Sequence, residues 1–144
     1  MTVIEIPDIR RRLRQALDQA KHAAAARREQ TAAAEHDYAR FLSEIAEPVF
    51  RVFAAAIKAE GHAFLIATPS GGLRLESERS REDAIEIALD TAEAPVVVGR
   101  ATRGRGRRMI ATERPLREGA AVSDLTEEDV LQFLLAEIVP LVTR

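Results

Sequence analysis

The hydrophobic positions of the first half of the chain recur with a helical period. Residues 8–60 contain no Gly and a single Pro, Pro48, and they are dominated by Ala, Arg, Glu, Gln and Leu, which favour helices. This pattern predicts a helix over residues 8–47 that is N-capped by Asp8. Because Pro48 cannot donate a helical hydrogen bond, we expect a kink or a new helix start there.

A second, shorter helix is predicted over residues 48–60. Its apolar face runs from Val49 to Ile57, and Gly61 suits the C-cap because glycine adopts a left-handed conformation at little cost. The helical half of the chain therefore ends at Gly61.

The long helix has a heptad seam, which is typical of a coiled coil. Its bulky second part, around Tyr38 and Phe41, is expected to pack on the chain's own core, and its small first part is expected to pair with a second copy. Helix direction in such a homodimer is left open, and the alternative is a single solvated, Ala-rich helix. The predicted dimerisation residues are Leu13, Leu17, Ala20, Ala24, Arg27 and Thr31.

After Gly61 the pattern changes to the alternation of β-strands. Five antiparallel strands are expected between His62 and Thr112, with hairpin tips at residues 69–72 and 103–106, because every connection is too short for a parallel crossover. The first strand, residues 62–68, is apolar on both faces, which is typical of an interior strand.

The C-terminal segment has a helix start signal. Thr126 suits the N-cap, and three acidic residues follow it in the first turn. The helix from about Glu127 is expected to pack on the sheet, with Pro140 kinking or ending it. A partner-binding or membrane-surface role for its apolar stripe is the less favoured alternative.

The predicted fold class is therefore α+β: a long N-terminal helix kinked near Pro48, an antiparallel meander of about five strands, and a C-terminal helix packed on the sheet. Residues 1–47 are expected to form a coiled-coil segment and residues 48–144 a globular domain. The order helix, sheet, helix is similar to that of small dimeric nucleoid-associated proteins and of type III secretion chaperones. Only element order is shared, so no function is carried over.

Composition narrows the range of functions. The chain has no Cys, which excludes disulfides, thiolate nucleophiles and cysteine-ligated metals. The net charge of −2 gives no global attraction to nucleic acid, and aromatic residues make up only 4%. No apolar run approaches the length of a membrane span, so we expect no membrane partner and a cytoplasmic location.

Catalytic motifs are absent from the sequence. The three histidines lack metal-binding spacing, no serine has a nucleophile motif, and the Gly pairs match hairpin turns better than phosphate loops. Only Glu86, Asp90 and Glu113 could form a carboxylate site, if they met in a desolvated cleft. We therefore expect a protein that is not an enzyme and has no cofactor, with an enzyme built on dispersed carboxylates as the remaining alternative.

One basic cluster stands out from this background. Arginines follow one another through the second predicted hairpin, where guanidinium groups could bind phosphates. The alternative is that these arginines bind nothing and only keep an exposed edge of the sheet soluble, which discourages aggregation between sheets. The favoured function is a non-catalytic, oligomeric adaptor or chaperone-like protein with an unknown protein partner, and the alternative is a nucleic-acid or polyanion binder. The candidate polyanion-binding residues are Arg100, Arg103, Arg105, Arg107 and Arg108.

Overall fold

The first helix begins two residues earlier than expected. A computed structural model describes residues 4–143, and in it α1 extends over Ile6–Phe41. Asp8 is therefore not the N-cap: it lies inside the first turn, where its carboxylate pairs with Arg11 and, at 3.1 Å, with Arg12. The earlier start has a physical reason, because Pro7 has no N–H to satisfy and its fixed φ suits a first helical turn.

A π-helical turn connects α1 to the next helix. It covers Leu42–Ala46, and α2 follows over Glu47–Ala59 with Pro48 in its first turn. Glu47 stays helical, with φ −61° and ψ −46°, although the helical conformation is disfavoured for a residue that precedes proline. Its N–H bonds to the carbonyl of Leu42, five residues back, and this wider turn is how the helix accommodates the missing donor of Pro48.

Gly61 ends α2 as predicted. Its φ of 95° is left-handed, its N–H bonds to the Lys58 carbonyl, and the His62 N–H bonds to the Ile57 carbonyl at 3.0 Å. These two bonds form a Schellman motif, which satisfies carbonyls at the helix end.

The sheet is an antiparallel meander of five strands, as predicted. The strands are β1 (Phe64–Ala67), β2 (Gly72–Ser77), β3 (Ala84–Asp90), β4 (Val96–Arg105) and β5 (Arg108–Pro115). They are ordered β1-β2-β3-β4-β5, so each pairs with its neighbour in the chain.

Two details of the sheet differ from the sequence prediction. β1 is an edge strand, not an interior one, and its Leu65 is 51% exposed. The last hairpin is also longer than expected: β4 continues to Arg105, which pairs with Arg108, so the turn is Gly106 and Arg107. Gly106 allows this two-residue turn because its φ of 61° is left-handed.

The C-terminal helix, α3, covers Glu127–Val142 and follows a 3₁₀ turn at Val122–Asp124. The predicted cap is confirmed as a capping box: the Thr126 hydroxyl accepts from the Asp129 N–H, and the Asp129 carboxylate accepts from the Thr126 N–H at 2.8 Å. Pro140 does not end the helix, which continues two residues beyond it.

The core lies between the helices and one face of the sheet. Phe50 of α2 and Phe133 of α3 are almost fully buried together with Leu75, Ile85 and Ile87 of the strands. By its contacts the chain divides into two compact units, one ending at Ala33 and one beginning at Ala34. The α+β architecture is thus confirmed, whereas the proposed division at residue 47 stays a prediction.

Candidate interaction surfaces

Four large aliphatic side chains lie exposed along one face of α1. Ile6, Ile9, Leu13 and Leu17 are between 48 and 73% exposed. Steps of three, four and four residues place them on one helix face. We call these four residues the α1 stripe.

The stripe includes only part of the predicted seam. Two of the other predicted seam residues, Ala20 and Arg27, are exposed, and two, Ala24 and Thr31, are half-buried. Together they expose less apolar surface than the stripe does. Later seam residues, Ala34, Tyr38 and Phe41, lie in the core of the second unit. Sequence reasoning missed Ile6 and Ile9 because the heptad count began at Leu13. Ile9 lies four residues and Ile6 seven residues before Leu13, and this helical spacing would have identified both.

One flank of the stripe carries positive charge. Arg10 and Arg14, one helical turn apart, are exposed, and within the described part of the chain neither has an ion-pair partner. Arg11 and Arg12 are instead paired with Asp8. The stripe is therefore an apolar strip beside two free guanidinium groups.

The arginine-rich hairpin does not form a single cluster. Alternation along β4, together with the pairing of Arg105 with Arg108, places Arg103, Arg105 and Arg108 on the sheet face that bears α3. Arg100 lies on the opposite face, opposite Glu113, and Arg107 lies in the turn. The structure thus brings three of the five predicted polyanion-binding residues together.

The hairpin arginines differ from the other sheet arginines in their partners. Arg74 contacts Glu76 and Glu86, and Arg114 contacts Glu137 at 3.1 Å. Among residues 4–143, none of the five hairpin arginines makes such an ion pair. Arg105 and Arg108 also face each other directly, and like charges in that position destabilise a strand pair.

The candidate catalytic carboxylates are not brought together at one site. Glu86 and Glu113 share the sheet face opposite the helices, but Arg100 lies between them in register. Asp90 ends β3, and its carboxylate accepts from the Ala92 N–H at 2.9 Å. Within the described range, no group of three or more metal-ligating side chains is close enough to hold an ion.

One titratable group in the second unit has a shifted pKa. Burial, and after it the negative charge of Glu86, raises the pKa of Tyr38 to about 12. Its hydroxyl donates to the carbonyl of Gly71 at 3.0 Å. This phenol links the α1 end that lies in the core to the β1–β2 turn, so its role is structural.

An apolar groove lies between α2 and α3. It encloses about 370 Å³, and Val52 on its wall is 71% exposed. Glu127 and Glu128 stand at its rim and, within the part of the chain described, take part in no ion pair. Its lining consists of Pro48, Val49, Val52, Phe53, Ala56, Glu127, Glu128 and Leu131. We call it the α2–α3 groove; periodicity could not reveal it, because it depends on how two distant helices pack.

Comparisons with protein-family models, with curated proteins and with solved structures find no match for this chain. Over residues 4–143, no helix is both long and apolar enough to cross a membrane.

Proposed function

We propose that this protein is a non-catalytic interaction protein that associates with a second copy of itself through the α1 stripe. The observation that supports the proposal is the exposure of Ile6, Ile9, Leu13 and Leu17 on one helix face. Scattered exposed apolar residues need no explanation, but a contiguous row at helical spacing is typical of a binding face.

The test is a pair of substitutions in the stripe. Leu13→Asp with Leu17→Asp puts two charges where burial is proposed, and the exposure of both side chains means that the fold should persist. Light scattering should give twice the chain mass of 15.9 kDa for the unmodified protein and the chain mass for the variant.

The matched control is Gln15→Asp with Gln19→Asp, which adds the same charge on the opposite face of α1 and should stay dimeric. Circular dichroism checks that both variants keep their helix content. An unmodified protein that remains monomeric at millimolar concentration would refute self-association.

A second candidate function is polyanion binding by the hairpin. It is favoured by the three guanidinium groups of Arg103, Arg105 and Arg108 on one face, unpaired within the described residues. A bound phosphate would offset the repulsion between Arg105 and Arg108, and guanidinium forks bind phosphate oxygens two at a time.

This candidate predicts binding to duplex DNA or RNA that weakens steeply with salt. Arg105→Gln should lower the salt slope of log affinity by about 0.9, the value for one lost phosphate contact. Arg100→Gln, on the opposite sheet face, is the matched control and should leave the slope unchanged. If the unmodified protein binds neither nucleic acid at low salt, the candidate is eliminated.

A further inference from the structure

Charge is unevenly distributed between the two units of the chain. Residues 1–33 contain seven Arg and Lys against four Asp and Glu, a net charge of +3. Residues 34–144 contain 14 against 19, a net charge of −5. A stripe-to-stripe dimer would bring two segments of the same sign together, whereas contact between the first unit of one copy and the second unit of another joins opposite signs.

The α2–α3 groove has the chemistry that the stripe needs. Its walls are apolar, as the stripe is, and Val52 is left 71% exposed. The rim carboxylates of Glu127 and Glu128 oppose the sign of Arg10 and Arg14, which flank the stripe. An amphipathic helix laid into an apolar groove, with charges paired at the rim, is a common recognition mode.

The apolar area also favours this pairing. The stabilisation that burial gives is proportional to the apolar area removed from water, and the four stripe residues are already partly covered, since between 48 and 73% of each is exposed. Association also costs translational and rotational freedom, so contact between two stripes alone supports at most a weak dimer. Seating each stripe in a groove buries the groove walls as well.

We infer that the α1 stripe of one copy docks into the α2–α3 groove of a second copy, and that the docking is reciprocal in the dimer. The inference rests on the proposed self-association and specifies the surface that receives the stripe. Each copy then supplies one helix and one groove, which closes the assembly at two chains.

The first test is Val52→Asp, a substitution in the groove at a side chain exposed enough for the fold to tolerate it. It should raise the dimer dissociation constant at least a hundredfold in sedimentation or light-scattering measurements. Lys58→Gln changes the charge of α2 by the same amount at an exposed position away from the groove, and it should leave the constant within about twofold. A Val52→Asp protein that dimerises like the unmodified one overturns the inference but leaves self-association intact.

Cross-linking gives an independent readout because the natural chain has no Cys. Leu13→Cys and Val52→Cys proteins, mixed and treated with a short thiol cross-linker, should form a covalent dimer containing one of each. Leu13→Cys protein alone should not cross-link efficiently. Efficient cross-linking of Leu13→Cys to itself would identify a stripe-to-stripe dimer and refute the groove.

Salt dependence separates the arrangements further. Groove docking joins opposite charges, so the dissociation constant should rise several-fold between low and high salt. A fall would indicate contact between like-charged segments and count against the groove. An unmodified protein that is monomeric in all these conditions overturns the proposed function itself.

Discussion

Gly99 lies on β4 directly beneath the ring of Phe133 on α3. A Cβ added at Gly99 would overlap that ring, and the Arg114 guanidinium lies 4.8 Å from the ring centroid. We expect Gly99→Ala to destabilise the protein by about 1–3 kcal/mol, the usual effect of overpacking. Urea denaturation measures this change.

Two comparisons make the Gly99 prediction specific. Gly104→Ala, on the same strand, comes closest to the flexible end of the Glu82 side chain, which can move aside, and it should have a smaller effect. Combining Gly99→Ala with Phe133→Leu should give less than the sum of the single effects, because the smaller side chain leaves room for the methyl group. Additive effects would show that the contact is not what makes Gly99 necessary.

Tyr38 predicts how stability depends on alkaline pH. Its pKa is 10.0 in an ordinary environment and about 12 in the folded protein, so between these values the folded state holds a proton that the unfolded state has lost. The contribution of Tyr38 to the free energy of unfolding is fully present below pH 10. It decreases by roughly 2 kcal/mol as the pH rises from 10 to 12.

Tyr38 can be followed directly because it is the only tyrosine and there is no Trp. Absorbance titration should give a single phenol with a pKa near 12 in the folded protein. Tyr38→Phe should remove the drop in stability between pH 10 and pH 12. A titration midpoint near 10 under folding conditions would contradict the burial of the hydroxyl.

At the scale of elements, the capping box at the start of α3 carries a measurable part of the stability. Thr126→Ala removes the hydroxyl that accepts from the Asp129 N–H and should lower the free energy of unfolding by about 0.5–2 kcal/mol. Thr126→Ser keeps the oxygen and is the control. Equal loss in both variants would assign the effect to the lost methyl group instead.

The elements also show what the sequence could predict. The period of the hydrophobic pattern located the helices and strands. Gly61 and Thr126 located two helix ends, because capping residues act through local backbone geometry. The π turn before Pro48 was not predictable, because a helix can accommodate a proline either by breaking or by widening one turn, and the sequence does not distinguish the two. The edge position of β1 was missed because Leu65 and Ile66 give an interior pattern, although one of them is exposed.

The candidate surfaces were predictable only in part. The sequence indicated an Arg-rich hairpin, but it did not show that the turn lies at Gly106 and Arg107 and that only three of the five guanidinium groups share a sheet face. Leu13 and Leu17 are both exposed on one helix face, as their spacing predicts, and their role in dimerisation stays a prediction. The α2–α3 groove is lined by Val52 and Leu131, residues far apart in the chain, so no local pattern could indicate it.

At the scale of the whole molecule, self-association should make thermal stability depend on protein concentration. Each tenfold rise in concentration favours the dimer, so the unfolding midpoint should rise by a few degrees. The Leu13→Asp and Leu17→Asp variant should unfold at one temperature at all concentrations. Scanning calorimetry of both proteins over a hundredfold range of protein concentration checks this. If the unfolding midpoint of the unmodified protein does not change with concentration, as expected for the variant, the result contradicts a folded dimer.

The meander order of the sheet has a consequence for how the molecule acquires its structure. Each strand pairs only with its neighbour in sequence, and the connections between strands are two to six residues long. Closing such short loops requires little loss of chain entropy, and folds dominated by local contacts reach the native state rapidly. The sheet can therefore grow hairpin by hairpin, each new strand pairing with the strand that precedes it in the chain.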